Sequence, residues 1–147
     1  MTVINQLLKV KGRGYFSVGP DETVYSAIET MAEKNIGAVL IMDRAKLVGI
    51  FTERDYARNV VLKGRSSPQT LVRDIMSTQV ECVGPDDTVE DCMALMSEKR
   101  FRHLPVVEDE AVVGIVSIGD LVKSMLDEQR FTIGQLEAYI HGERPLH

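Results

Sequence analysis

Apolar and polar positions along the chain follow one pattern twice. Val24, Ala27, Ile28 and Met31 fall at helical spacing, and Val89, Cys92, Met93 and Met96 repeat it. Each set predicts a helix with one buried face, and its methionines read as core filler. A short strand precedes each helix, Phe16–Val18 or Glu81–Val83, and runs into Gly-Pro-Asp, which is turn chemistry. Thr23 and Thr88 then stand where N-caps belong, with Asp91 at the third position as a partial capping box. Two apolar runs of strand length follow each helix, Ala38–Met42 with Leu47–Phe51 and Leu104–Val107 with Val112–Val116. The gap inside each pair has hairpin length. Second helices are expected from about Glu53 to Lys63, where Gly64 stops the chain, and from Gly119 to about Gln129. A further short helix is expected over Ile133–Ile140, with a loose end, GERPLH.

The two patterns are an internal repeat. Val18–Tyr56 aligns with Val83–Leu121 without a gap, and thirteen of thirty-nine positions are identical, far beyond chance. Gly19/Gly84, Pro20/Pro85, Thr23/Thr88, Gly49/Gly114 and Asp55/Asp120 are among them. The flanks TVINQLL and TLVRDIM also correspond, with three extra residues in repeat one near Lys11–Gly14. The expected fold is α+β: two β-α-β-β-α repeats packed sheet-to-sheet with pseudo-twofold symmetry. A small sheet with helices on one face cannot cover its other face alone, whereas two such units cover each other. The divisions expected are 1–66 for repeat one with the N-terminal segment, 67–130 for repeat two, and 131–147 for a C-terminal helix and tail.

At 147 residues, with 44% hydrophobic and 27% charged, the chain can bury a core of its own, and 5% aromatics make that core aliphatic. A net charge of −5 argues against nonspecific nucleic-acid binding without excluding a local basic pocket. No apolar run reaches the roughly 18 residues of a membrane span, and the N-terminus carries no signal-peptide pattern. Cys82 and Cys92 lack any metal spacing and read as two reduced thiols of a cytoplasmic protein. His103, His141 and His147 sit in no metalloenzyme motif, and no nucleophile–base pair is visible, so neither a catalytic nor a metal site is expected.

Candidate chemistry gathers in GIFTERD (Gly49–Asp55) and its counterpart GIVSIGD (Gly114–Asp120). Each leaves a strand, passes a hydroxyl, Thr52 or Ser117, and enters a helix with a carboxylate in its first turn. These are capping groups on the simplest reading. They also suit a nucleotide, whose ribose hydroxyls a carboxylate accepts and whose phosphate favours a helix start. Arg102 and His103 precede a buried strand where repeat one has Gly37 and Ala38, so the cations are unequal between the repeats.

TLVRDIM, VGPDDTVEDCMALMSEKRFRHLPVV and GIVSIGDL together resemble a tandem pair of CBS (cystathionine β-synthase) domains, a Bateman module, over about Thr2 to Leu126. The resemblance implies a stand-alone regulatory module that binds AMP, ADP, ATP, NAD(H) or S-adenosylmethionine between the repeats and signals to a protein effector. It places the ribose acid at Asp120 and Asp55, the hydroxyl at Ser117 and Thr52, and phosphate contacts at Arg102 and His103, with Arg54 as a further candidate. Adenine would lie near Val80 and Pro105 in one pocket and near Tyr15, Ile36 and Ala38 in the other. The pocket with Arg102 and His103 is expected to hold phosphate more tightly. The alternative function is a ligand-independent dimerisation module; a homodimer is expected in either case, with no membrane or nucleic-acid partner.

Overall fold

The computed structural model describes residues 1–140; GERPLH, His141 and His147 lie outside the described residues. Helix α1 (Ile4–Lys11) is followed by β1 (Ser17–Val18), α2 (Val24–Lys34), β2 (Ala38–Asp43) and β3 (Lys46–Thr52). A short α3 (Glu53–Asp55) passes into a π-helical segment, Tyr56–Val61, and a 3-10 turn at Val72–Asp74 opens the second half. Then come α4 (Val89–Lys99), β4 (His103–Glu108), β5 (Ala111–Ser117) and α5 (Ile118–Ile140). Thr23 and Thr88 cap α2 and α4, accepting from the amides of Ser26 and Asp91 at 3.1 Å. Both hairpins close through two residues at positive φ, Arg44–Ala45 and Asp109–Glu110, whose twist matches that of paired strands.

Side chains of β2 alternate between two faces, while a register shift in β3 leaves Val48 and Phe51 on one face and Leu47 and Ile50 on the other. Val39 and Ile41 of β2 face the helices of repeat one, while Ala38 and Leu40 form a separate cluster with Ile50. Tyr15, Val80, Val112 and Ile115 pack onto that cluster, so the two sheets bury their other faces against each other. In repeat two, the strand expected at Glu81–Val83 is reduced to one parallel bridge, Val83 to Val106. Only two strands, β4 and β5, remain in its sheet.

The leading segments are exchanged between the repeats. Helix α1 precedes repeat one, yet Ile4, Leu7 and Leu8 lie in the core of repeat two beside Val89, Met96 and Leu121. Val72 and Ile75, which precede repeat two, lie in the core of repeat one beside Val24 and Phe51. Backbone bonds pin each segment: Ile4 N to Asp87 O at 2.8 Å, and Val72 N to Glu22 O at 2.9 Å.

The C-terminal region differs from the two helices expected. It is a single 23-residue helix, α5. The residues between the expected pieces, Arg130–Thr132, include neither proline nor glycine. With no breaker the hydrogen-bond ladder runs on, and Gly134 is tolerated inside it. No helix among the described residues is long and apolar enough to cross a membrane.

Candidate functional site

At the end of β3 the chain turns into α3, and the turn is locked by reciprocal bonds. The amide of Asp55 donates to Thr52 Oγ1 at 3.1 Å, and the amide of Thr52 donates to Asp55 Oδ2 at 3.0 Å. The other carboxylate oxygen, Oδ1, accepts from Ser77 Oγ at 3.3 Å. Ser77 is held there by β3: its amide and carbonyl exchange bonds with those of Ile50, both at 3.0 Å. Gly49 makes that approach possible, because a Cβ on it would stand 3.0 Å from the Ser77 carbonyl oxygen and 2.6 Å from Met76 Sδ. The capping reading of Thr52 and Asp55 is therefore right, and it also aims a carboxylate.

Asp55 faces a cleft of about 470 Å³ between the two repeats. Repeat one contributes Gly37, Ile50, Thr52, Glu53, Arg54, Asp55 and Arg58. The remainder, from Ser77 and Val80 on to Lys99–His103, comes from the chain beyond. Arg54 spans the halves, donating to the carbonyl of Arg100 at 3.3 Å. Five cationic side chains, Arg54, Arg58, Lys99, Arg100 and Arg102, line the cleft against three carboxylates, Glu53, Asp55 and Glu81. The cleft is thus locally positive on a chain of net charge −5, which favours an anion. His103 also lines it. Burial first, then the charge of Lys11, hold His103 below its ordinary pKa of 6.5, against the opposing pull of Asp120 and Glu53.

The predicted residues are grouped differently from their order in the sequence. Thr52, Asp55, Arg54, Val80, Arg102 and His103 line this one cleft. Arg102 and His103 lie beside the Ser117–Asp120 turn, His103 pairing with Ser117 across β4 and β5 and the Arg102 carbonyl accepting from the Ile118 amide at 2.9 Å, and they also line the cleft of the other repeat's acid. The Arg100–Arg102 turn lies on the seam between the halves, so its side chains reach across it. Ser117, Asp120, Pro105, Tyr15, Ile36 and Ala38 are not in its lining. Pro105 pairs with Ile115 in the sheet, Tyr15 and Ala38 belong to the inter-sheet cluster, and Ile36 packs on the core of repeat one. Ser77, Arg58, Lys99, Arg100 and Phe101 are lining residues that the sequence reading did not select. The Lys-Arg-Phe-Arg-His run, whose Arg100 ends α4 at φ 60, was the available signal for three of them.

Ser117 and Asp120 form a matching reciprocal cap, with bonds of 2.8 and 3.1 Å. There the carboxylate meets Lys11 Nζ at 2.6 Å. Burial alone would raise the Asp120 pKa, but the Lys11 ammonium and the Ser117 amide hold it below its ordinary value. Cys82 and Cys92 are both free thiols. Burial, then Asp87 and Asp91, push Cys92 up to about 11, so it packs as a protonated core side chain. Among the described residues, no group of three or more His, Cys, Asp and Glu side chains could hold a metal ion.

Two repeats, each strand-turn-helix unit ending on a hydroxyl and an acid, meet the CBS domain model at residues 10–62 and again at 72–127. The chain belongs to the CBS-domain family. It is 39% identical over 150 residues to the Arabidopsis thaliana CBS domain-containing protein CBSX3, mitochondrial, covering 96% of this chain and 73% of that protein. A protein with CBS domains from Burkholderia ambifaria MC40-6 superposes with a TM-score of 0.84 at 49% identity, over 87% of this chain and 96% of that one. The CBS domain pair of protein MJ0100 was solved in complex with 5′-methylthioadenosine and S-adenosyl-L-methionine. It superposes with a TM-score of 0.76 at 25% identity, over 87% of this chain and 98% of that one. The chain is therefore a CBS domain pair, a regulatory module by family.

Proposed function

We propose that this CBS pair binds an adenosine-containing anion, AMP, ADP, ATP or NAD(H), in the cleft at Asp55, and that binding alters the packing of the repeats for a protein effector. One observation carries the reading. A carboxylate aimed by Thr52 and Ser77 shares a cleft with Arg54, Arg58, Arg100 and Arg102. A carboxylate accepts both hydroxyls of a ribose, and guanidinium groups take a phosphate through charge-assisted bonds. Ile50, Val80 and Phe101 offer apolar surface for the base. The adenosine compounds held by the MJ0100 pair support the class of ligand. The lining comes from both halves, so a ligand that touches both favours one arrangement of them over another.

Calorimetry with AMP and 2′-deoxy-AMP tests this. A carboxylate that loses one hydroxyl donor forfeits about 1–3 kcal/mol, so the deoxy compound should bind roughly 5- to 150-fold more weakly. Asp55→Asn should weaken AMP to a similar degree. Superimposable titrations of the two nucleotides would refute the ribose assignment. The second reading, a ligand-independent homodimerisation module, is favoured by the exposed apolar residues of α5, Phe131, Ile133, Leu136 and Ile140. An AMP titration without heat, beside a stable dimer, would select it.

A further inference from the structure

The two caps are near copies, but their carboxylates meet different partners. On the Asp55 side, Ser77 supplies two donors: its hydroxyl reaches Asp55 at 3.3 Å and its amide reaches the Ile50 carbonyl at 3.0 Å. On the Asp120 side one group satisfies both counterparts. Lys11 Nζ donates to Asp120 Oδ2 at 2.6 Å and to the carbonyl of Ile115, the repeat-two equivalent of Ile50, at 2.7 Å. A neutral hydroxyl beside one acid is thus replaced by an ammonium beside the other.

The substitution has a structural origin. Helix α1 ends at Lys11, with Gly12 at φ 101 and Gly14 at φ 116 bending the chain back onto β5. The three extra residues of repeat one fall near this stretch, Lys11–Gly14, and have no counterpart before Ser77. The bend is tied down just after Lys11. Gly14 N donates to Val113 O at 3.0 Å, and Arg13 pairs with Glu108 at 3.0 Å. The lysine is therefore presented to Asp120 by a fixed backbone.

The geometry points to Lys11 as a built-in latch on the second ribose position: it holds Asp120 as a ligand's diol would, and closes that side to nucleotide until the ammonium is displaced. The ion pair is partly shielded, with 37% and 26% of the two side chains exposed, and an ammonium, which like its carboxylate partner carries a charge, is held more strongly than the uncharged hydroxyl donor that would replace it. The same contact keeps Asp120 ionised and engaged. The pair of repeats then holds one open site, not two. This rests on the reading of the Asp55 cleft as a nucleotide site, and the experiment separates the two claims.

The measurement is the calorimetric stoichiometry of AMP on the full chain, Lys11→Met, Lys11→Arg, Asp55→Asn and Lys11→Met/Asp55→Asn. The parent chain and Lys11→Arg should take up one AMP tightly, Lys11→Met two, Asp55→Asn none, and the double variant one. Two tight sites in the parent chain, or one or none in Lys11→Met when the parent has one, overturn the latch. No binding by the parent with one site in Lys11→Met overturns the cleft reading and keeps the latch. No binding by either protein overturns both.

Discussion

His103 stands among four charged groups. Of these, Lys11 and Arg102 lower its pKa while Asp120 and Glu53 raise it, and its ring lies 3.6 Å from the position of a Cβ on Gly37. Burial and Lys11 lower its pKa in the folded chain below 6.5. The unfolded state therefore binds a proton more readily, so the stability that neutral His103 contributes is present above about pH 6.5 and is lost as pH falls through its folded value. A phosphate in the cleft reverses the local field and raises that pKa, so AMP binding should take up protons as pH drops below 6.5. Titrations in two buffers of different ionisation enthalpy, on the parent chain and His103→Gln, read the uptake. The difference between the proteins isolates His103 from the titration of AMP itself. Equal uptake in both would remove His103 from phosphate binding. Thr52, Asp55 and Arg54 were legible as a group because they sit within four residues. Ser77 and Lys11 were not, because nothing local marks a serine or a lysine that tertiary contact brings to an acid far away in the sequence.

At the scale of the elements, the repeat made the order of helices and strands readable, but Ala38–Met42 is apolar at every position, so its pattern did not tell which residues face the other sheet. Nor could the repeat show the exchange of leading segments. A short amphipathic stretch such as Ile4–Leu8 carries an apolar face but no address, and either core would accept it by pattern alone. The loss of the first strand of repeat two to a single bridge is equally silent in the sequence. Close packing of one such segment yields a prediction. In β3, a methyl on Gly49 meets Met76 Sδ at 2.6 Å and a backbone oxygen at 3.0 Å. In β5, a methyl on Gly114 crowds Leu8 Cδ2 at 3.1 Å, the end of a flexible side chain, and the nearest backbone atom, Gly14 O, stands off at 3.9 Å. Overpacking costs about 1–3 kcal/mol where neighbours cannot yield. Gly49→Ala should therefore lower Tm by several degrees and loosen Ser77, weakening AMP, while Gly114→Ala should do markedly less. Melting curves for the two variants check it, and equal losses would mean the Met76–Ser77 segment gives way freely.

For the whole molecule, the outer face and the far end of the long α5 are what the monomer leaves unused. Leu121 alone among its residues is fully buried, whereas Val122, Leu126, Ile133, Leu136 and Ile140 are 40–77% exposed. With Gln129 they recur at alternating steps of four and three, the seam of a coiled coil rather than the broader face that packs on a sheet. Lys123 and Glu137 flank the seam fourteen residues apart, on either side of Arg130. Two α5 helices lying antiparallel set each Lys123 beside the partner's Glu137, at the cost of one central Arg130 pair, whereas a parallel pair gains no such match. A second copy of this chain is thus the partner the helix suits, and we expect a homodimer at micromolar concentration. Ile133→Glu/Leu136→Glu places four carboxylates in the dimer seam. Both residues are exposed in the monomer, at 55% and 59%, so the variant should keep its fold and its AMP site while sedimenting as a monomer. A double variant that stays dimeric at the parent's concentration would place the contact elsewhere, and a parent chain that sediments as a monomer would leave α5 without this partner.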